Sequence, residues 1–596
     1  MKKGSALLLF AIVAATLLLE VACFVSHGNQ HLTRRREPLR MEAAAAGIKE
    51  EDFDCVIIGS GLAGLTAGAL LAHNGKKVLV CESHDTPGGC AHGWERQGFH
   101  FESGPSLYSG FSKDESSNPL KNVFQIIEEE PEWITYDRWG TAIPEGKFAA
   151  KIGYAGFQEA LEQYGGPGAK EDWNKVMEKM TGKGGLSEAA SCLSSMALRE
   201  DGWALVTLLR FWRELPLVLR QGARLNEPFS NVIAEVEASG DPITNKFVRN
   251  WLDMLCFLLQ GLPAEGTMNA VIAYMLNDWY QPDVILDFPR GGSGAIVDAL
   301  VRGVEKHPGC EVRLNTHVEE ILVDPATGTA TGVRAEVTRG PAKGPAVARA
   351  AQAVICNADT HGLRALVPRG ASAEFDEVID RRLEEFELLP SFVHLHAGID
   401  AAGLGPVSEQ LPAQWAYVRD WDAPGGVEAP RNIVLVSVPS LLDPSLAPEG
   451  KHVVHAYTPA TEPWADWEGL ARGSPEYKAK KAEAADYLWS AVEQYIPNAR
   501  GRSVAAVEQV GTPFTHGRFL RRYRGSYGPR VKAGAQALPS HKTPVKNLWV
   551  TGDYSFPGIG VPAAAAGGAT VANSLVSVGQ HLAMLDKIRL PPRPGN

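Results

Sequence analysis

The residues best placed to do chemistry begin with Gly59-Ser60-Gly61-Leu62-Ala63-Gly64, which spells G-x-G-x-x-G, and with Glu82, 18 residues beyond Gly64. In this pattern the first glycine permits a tight turn, the second lets backbone approach a pyrophosphate, and the third lets a helix pack closely on a strand. An acid about 20 residues further on accepts hydrogen bonds from ribose hydroxyls and repels a 2′-phosphate. A glycine doublet, Gly88-Gly89, can bring more N–H groups to a phosphate, although by itself it reads equally well as a surface turn. Near the other end of the chain stands Gly552-Asp553, followed by Phe556-Pro557-Gly558-Ile559-Gly560-Val561-Pro562. A helix starting at Val561 and Pro562 would point its N-terminal dipole at negative charge.

These groups need elements to hold them. Asp54 to Glu82 reads as strand, glycine turn, helix and second strand: Val56-Ile57-Ile58 is a short apolar run, Asn74-Gly75 is a helix stop, and Val78 to Cys81 is apolar again. Toward the C terminus, the apolar Asn547 to Val550, the Gly-Asp pair, the Gly/Pro turn and an Ala/Gly-rich helix form the second half of an FAD signature. There Asp553 can accept from ribityl hydroxyls, and the helix N-terminus can stabilise charge on the flavin pyrimidine ring. Gly291 to Gly294 could pass for another nucleotide loop. It reads instead as a helix-capping turn, because no buried strand is expected before it and no acid follows at the needed distance.

With 596 residues, 45% hydrophobic and 21% charged, the chain can bury more than one core. A net charge of −11 argues against nucleic acid. The eight cysteines include no C-x-x-C pair and read as reduced core residues. Lys2 and Lys3 precede an apolar run from Ala6 to Leu19, which suits a signal peptide over 1–23. Phe24 then opens a basic stretch with Arg34, Arg35, Arg36 and Arg40, so that 24–50 is transit-like. Such a bipartite presequence resembles those of proteins sent to complex plastids; ordinary secretion or a signal anchor is the plainer alternative.

Past Glu82, the run E-x-x-x-x-P-G-G and then Gly98-Phe99-His100-Phe101-Glu102-Ser103-Gly104-Pro105 resemble the FAD domain of the carotenoid isomerase and phytoene desaturase family. The resemblance runs from about Asp52 to Leu585 and is nearest to isomerase-like flavoproteins of plant and algal plastids. It implies an α/β fold: a two-dinucleotide-binding-domain flavoprotein with a Rossmann-like FAD domain and an inserted substrate domain of helices and mixed sheet. It also implies that FAD is held by Gly59, Gly61, Gly64, Glu82, Gly88, Gly89, Gly104, the backbone of Val318, Gly552, Asp553, Val561 and Pro562. The FAD domain would take 51–110, 283–365 and 541–596, a helical substrate and membrane-contact domain 111–282, and a substrate sheet 366–540. Bacterial-type desaturases carry an arginine directly after the glycine doublet. Cys90 stands there, and this departure favours isomerase-like chemistry.

Several features stay open at this level. The apolar Trp203 to Leu219, with Arg210, Arg213, Arg220 and Arg224 in and beyond it, reads either as a monotopic membrane helix or as core packing. Trp251 to Leu262 could line a hydrophobic tunnel. Phe392, His394 and His396 alternate on one strand face, yet no third ligand stands nearby and no metal is expected. Arg518, Arg521, Arg522 and Arg524 read as a solvated loop, or as an entrance that meets anionic lipid. No side-chain acid or base stands out as catalytic, as expected where the cofactor carries the hard step. Implied by the resemblance is an FAD-dependent enzyme acting on a lipophilic polyene in a plastid, redox-neutral cis-trans isomerisation first and triple-bond hydration second. Desaturation or saturation is a third option. An amine oxidase-like enzyme and a Rab GDP-dissociation-inhibitor-like binding protein are the other classes, and Gly552-Asp553 counts against the latter.

Overall fold

The computed structural model describes residues 49–104, 107–240 and 242–591. Most of the presequence expected over 1–50 lies outside the described residues, but Lys49 and Glu50 already belong to the first strand, Lys49–Ile58.

That strand sits inside a seven-stranded sheet. It pairs in parallel with Val78–Cys81 on one side and with Gly344–Cys356 on the other. Glu311–Arg313 extends the sheet beyond Val78–Cys81, while Thr329–Val337 and Thr316–Asp324 follow antiparallel beyond Gly344–Cys356. The C-terminal strand Leu548–Val550 docks in parallel against Val354–Cys356. Val56, Ile57 and Ile58 are all buried because this strand has neighbours on both edges and cover on both faces. The helix Leu62–His73 is apolar all round and buried from Leu62 to Ala72, since it lies between the sheet and the helices Ser293–Glu305 and Val561–Leu575. Small residues set that spacing: a Cβ on Gly568 would meet the Ala63 carbonyl at 2.3 Å.

A second seven-stranded sheet runs in the order Gln509–Gly511, His394–Asp400, Lys451–Tyr457, Ile433–Ser437, Gln414–Val418, Arg138–Ile143, Gly146–Lys151. One face packs on the helix Pro475–Val492 through Val393, Leu395, Trp415, Leu488 and Trp489. The other carries Phe392 and His394 to the cavity described below, with the His396 ring stacked beside His394. Helices from Tyr154 to Trp279 form a separate aromatic-rich layer around Trp173, Trp251 and Phe257.

The structure corrects the sequence reading in two places. The segment 111–282 is not helical throughout. Trp133–Tyr136, Arg138–Ile143 and Gly146–Lys151 are strands, and the last two complete the second sheet. Arg138–Ile143 is buried on both faces after its first residue, so the alternation that betrays a half-exposed strand is missing. A fully buried strand, Leu286–Pro289, also precedes Gly291-Gly292, although none was expected. It pairs with Tyr108–Ser109 and Trp133–Tyr136 in a small sheet of its own, and Gly292 is the N-cap of Ser293–Glu305.

Candidate active site

The glycine turn after the first strand faces a cavity of about 1590 Å³. Of the residues expected to hold a cofactor, Gly59, Gly61, Glu82, Gly88, Gly89, Gly104, Val318, Gly552, Asp553, Val561 and Pro562 all line it. Gly64 does not. A Cβ there would lie 2.3 Å from the Gly59 carbonyl, so this glycine serves close packing of helix on strand.

The two glycine loops touch. Gly61 bridges Gly88, and a Cβ on Gly89 would come within 3.0 Å of the Gly61 Cα. Gly88 takes φ +115° and Gly89 +56°, backbone that L side chains rarely adopt. Ser60 ties the loops to the acid: its N–H and hydroxyl donate to Glu82 Oε2 at 2.9 and 2.6 Å, and its Oγ accepts from Gly88 N at 3.2 Å. With His84 N on Oε1 at 2.8 Å, the Glu82 carboxylate is fixed in direction and still has room to accept from a ligand hydroxyl.

Asn357, at the end of the strand Gly344–Cys356, joins the two halves of the site. A Cβ on Gly61 would lie 2.8 Å from Asn357 Nδ2, and one on Gly552 2.6 Å from Asn357 Oδ1. The amide is wedged between glycines from opposite ends of the chain. Val318 stands where the ladder to Thr329–Val337 shifts register, which frees backbone groups at the cavity edge. The helix Val561–Leu575 begins after Gly560 with no side-chain cap, leaving its first N–H groups and dipole directed at the cavity.

Arg522 is not part of a solvated loop. Its guanidinium pairs with Asp553, donates to the Tyr527 carbonyl at 2.6 Å, and lies beside the Cys90 thiol. Burial alone would lower its affinity for a proton, and Asp553 more than offsets this. The fold thus brings a guanidinium from a distant segment next to the residue that follows Gly89. Sequence could not place it, because four arginines crowd Arg518 to Arg524 and only the fold says which of them turns inward.

Beyond this polar cradle the cavity wall becomes apolar, with Leu107, Phe111, Trp139, Leu225, Leu255, Leu258, Leu259, Met275 and Trp279 from the inserted layer. Three residues of the Trp251 to Leu262 stretch, Leu255, Leu258 and Leu259, therefore line it, whereas Trp251 donates its indole N–H to Tyr280 in the core. His394 and His516 lie on the wall between the two regions. The fold also brings His455 from the neighbouring strand, so that ring nitrogens of His394, His396 and His455 lie within 4.8 Å of one another. His394 Nδ1 and His455 Nε2 share a hydrogen bond of 2.8 Å, and His396 Nε2 is 2.8 Å from the Glu102 carbonyl. Burial holds His394 and His455 well below the usual imidazole range, His396 at about 4 and His516 at about 3, the last helped by Arg522. All four rings are neutral near pH 7, each with one nitrogen that donates and one that accepts a hydrogen bond.

A glycine turn on a buried βαβ unit, a ribose-directed acid, and a Gly-Asp turn ahead of an uncapped helix define a dinucleotide-binding flavoprotein site. Residues 62–576 match the family described as flavin containing amine oxidoreductase, and the chain belongs to that family. It is an FAD-dependent enzyme. The structure fits the cofactor: along the cradle a Cβ at Gly61 or Gly552 would strike the Asn357 amide and one at Gly88 the Val297 side chain, so the backbone there stays bare toward the cavity. The chain is 28% identical over 549 residues to prolycopene isomerase 2, chloroplastic, of an Oncidium hybrid cultivar, covering 88% of this chain and 84% of that one. It is 26% identical over 550 residues to all-trans-retinol 13,14-reductase of Danio rerio, covering 84% and 82%. Among solved structures, an oxidoreductase from Methanosarcina mazei shares the fold with a TM-score of 0.54 at 17% identity, over 87% of this chain and 99% of that one.

Proposed function

We propose that this enzyme converts a lipophilic polyene of the carotenoid class with no net redox change, by cis-trans isomerisation of a double bond. The observation that carries this reading is the single continuous cavity, polar and glycine-lined at one part and apolar at another. At about 1590 Å³ it exceeds the roughly 300–1,000 Å³ of an ordinary ligand site and leaves room for a long apolar molecule beside the cofactor. Relatives named for prolycopene and retinol support a polyene. In this reading Gly59, Gly61, Gly88, Gly89 and Gly104 hold the pyrophosphate region, Glu82 the adenosine ribose and Asp553 the ribityl chain. Val318 meets the cofactor through its backbone on the strand beside Glu82, Val561 and Pro562 flank the isoalloxazine, and Gly64 seats the helix. When bound, FAD supplies electron transfer; the chain's own residues bind, orient and keep water out.

Hydration of a carotenoid triple bond is the second reading. It is favoured by the neutral His516 ring, which lines the cavity, has no hydrogen-bond partner among the described residues and can hold a water there by hydrogen bonding. Membrane contact and plastid residence belong to the same proposal. Trp203, Leu205, Leu209, Trp212 and Leu219 are more than half exposed, and the helix Leu215–Leu225 that carries Leu219 outward presents Gly222 and Leu225 to the cavity. Among the described residues no helix is long and apolar enough to cross a membrane, so the contact is peripheral. Plastid residence rests on the presequence and on the chloroplastic relatives.

The test is anaerobic incubation of the enzyme with chemically reduced FAD and carotenoids in liposomes, with products read by mass and absorption. Unchanged mass with a shifted spectrum is expected. A gain of one water selects hydration, and a change of two hydrogens rejects the redox-neutral reading.

A further inference from the structure

The apolar part of the cavity is interrupted by one carboxyl. Asp278, on the helix Asn269–Trp279, lines the cavity among Tyr274, Met275 and Trp279 of the same helix. Ser109 Oγ donates to its Oδ2 at 2.7 Å, and the Tyr274 hydroxyl lies against the same group. Lys113 acts on it electrostatically, yet the ammonium donates instead to the Asp283 carbonyl at 2.9 Å. Asp287, whose charge Asp278 also feels, differs instructively: its two oxygens accept from the Phe111 and Ser112 N–H groups at 2.7 and 3.2 Å. Asp287 is therefore satisfied by backbone, whereas Asp278 keeps acceptor capacity toward the cavity. Burial pushes its carboxyl up to about 6, against the lowering by Ser109 and Tyr274.

A pure hydrocarbon filling this space would strip water from Asp278 and return nothing. A ligand hydroxyl within hydrogen-bond reach would replace that water. A hydroxyl on the conjugated chain itself would either be an enol that reverts to a ketone or sit on a saturated carbon that breaks conjugation, so a stable one belongs on an end group. We propose that Asp278, positioned by Ser109 and Tyr274, is a hydroxyl-recognition site, and that the substrate is a hydroxylated polyene and not a hydrocarbon one. This rests on the polyene reading above and narrows it, whether the reaction is isomerisation or hydration.

The test is equilibrium binding to the FAD-loaded enzyme of a ring-hydroxylated C40 carotenoid and of its hydrocarbon parent, followed by tryptophan quenching, since Trp139 and Trp279 line the cavity. The parent enzyme is expected to prefer the hydroxylated ligand by at least about tenfold. Asp278→Leu is expected to bring the two within about twofold, and to bind the hydrocarbon more tightly than the parent enzyme does. A misfolded variant cannot imitate that gain. Asp278→Asn retains an acceptor oxygen and is expected to keep most of the preference. Equal affinity of the parent enzyme for both ligands would overturn the proposal, as would an equal loss for both in Asp278→Leu. If neither carotenoid binds, the polyene reading falls and takes this site with it.

Discussion

At the scale of the residue, Glu102 shows what burial does to a group the sequence offered only as part of a motif. Its carboxylate accepts from Ser293 N at the head of the helix Ser293–Glu305, and burial pushes it up to about 7 from an ordinary 4.5. Between those values the folded protein holds a proton that the unfolded chain has lost. The associated stability is complete below about 4.5 and is lost as pH rises toward about 7. Glu102→Gln should remove that loss, so its stability relative to the parent should rise across this window by about 1.4 kcal/mol per unit of pKa difference and level off above it. Urea unfolding at several pH values measures this, and an unchanging difference would refute it. Gly61→Val places a branched side chain where Asn357 Nδ2 already stands 2.8 Å from a would-be Cβ, and should abolish FAD binding while far-UV circular dichroism is retained. Yellow protein from that variant would contradict the cradle. The glycines were legible because each answers a backbone constraint set by its neighbours in sequence. Arg522, Asn357 and His455 were not, because what makes each of them matter is a partner brought by another strand or loop.

Elements were legible where an apolar run led into a glycine turn at motif spacing, and illegible where a strand buried on both faces carried neither alternation nor such a mark. The βαβ unit announced itself through an unbroken apolar run and a glycine stop, whereas the strands from Trp133 to Lys151 were hidden by the helical layer that follows them. The Trp203 to Leu219 stretch was open between membrane and core. It proves to be a short helix, Ala204–Leu208, a 3₁₀ turn, and the helix Leu215–Leu225, with Trp203 58%, Trp212 62% and Leu219 67% exposed. Side chains so exposed add little to folding. Replacing Trp203, Trp212 and Leu219 together by serine should therefore leave the melting temperature almost unchanged and reduce sedimentation with anionic liposomes by tenfold or more, at about 25 cal/mol per Å² of lost apolar contact. Undiminished liposome binding would assign membrane contact elsewhere or nowhere.

For the whole molecule, the boundary of the fold is set by pairing and not by composition. Lys49 to Phe53 pair with Ala346 to Ala350, so a chain starting at Lys49 should bind FAD normally, while one starting at Asp54 should lose stability and cofactor together. Flavin content after gel filtration distinguishes the two, and full loading of the shorter chain would refute the dependence. The order of assembly follows from the Asn357 amide lodged between Gly61 and Gly552. Its second glycine arrives with the strand Leu548–Val550, which joins the sheet through Val354–Cys356. A ribosome must therefore have released the chain through Gly552 before a complete flavin-binding surface can exist. Cofactor capture then waits on the strand Leu548–Val550, and premature termination ahead of Leu548 yields an apoprotein incapable of loading, however well its earlier parts have folded.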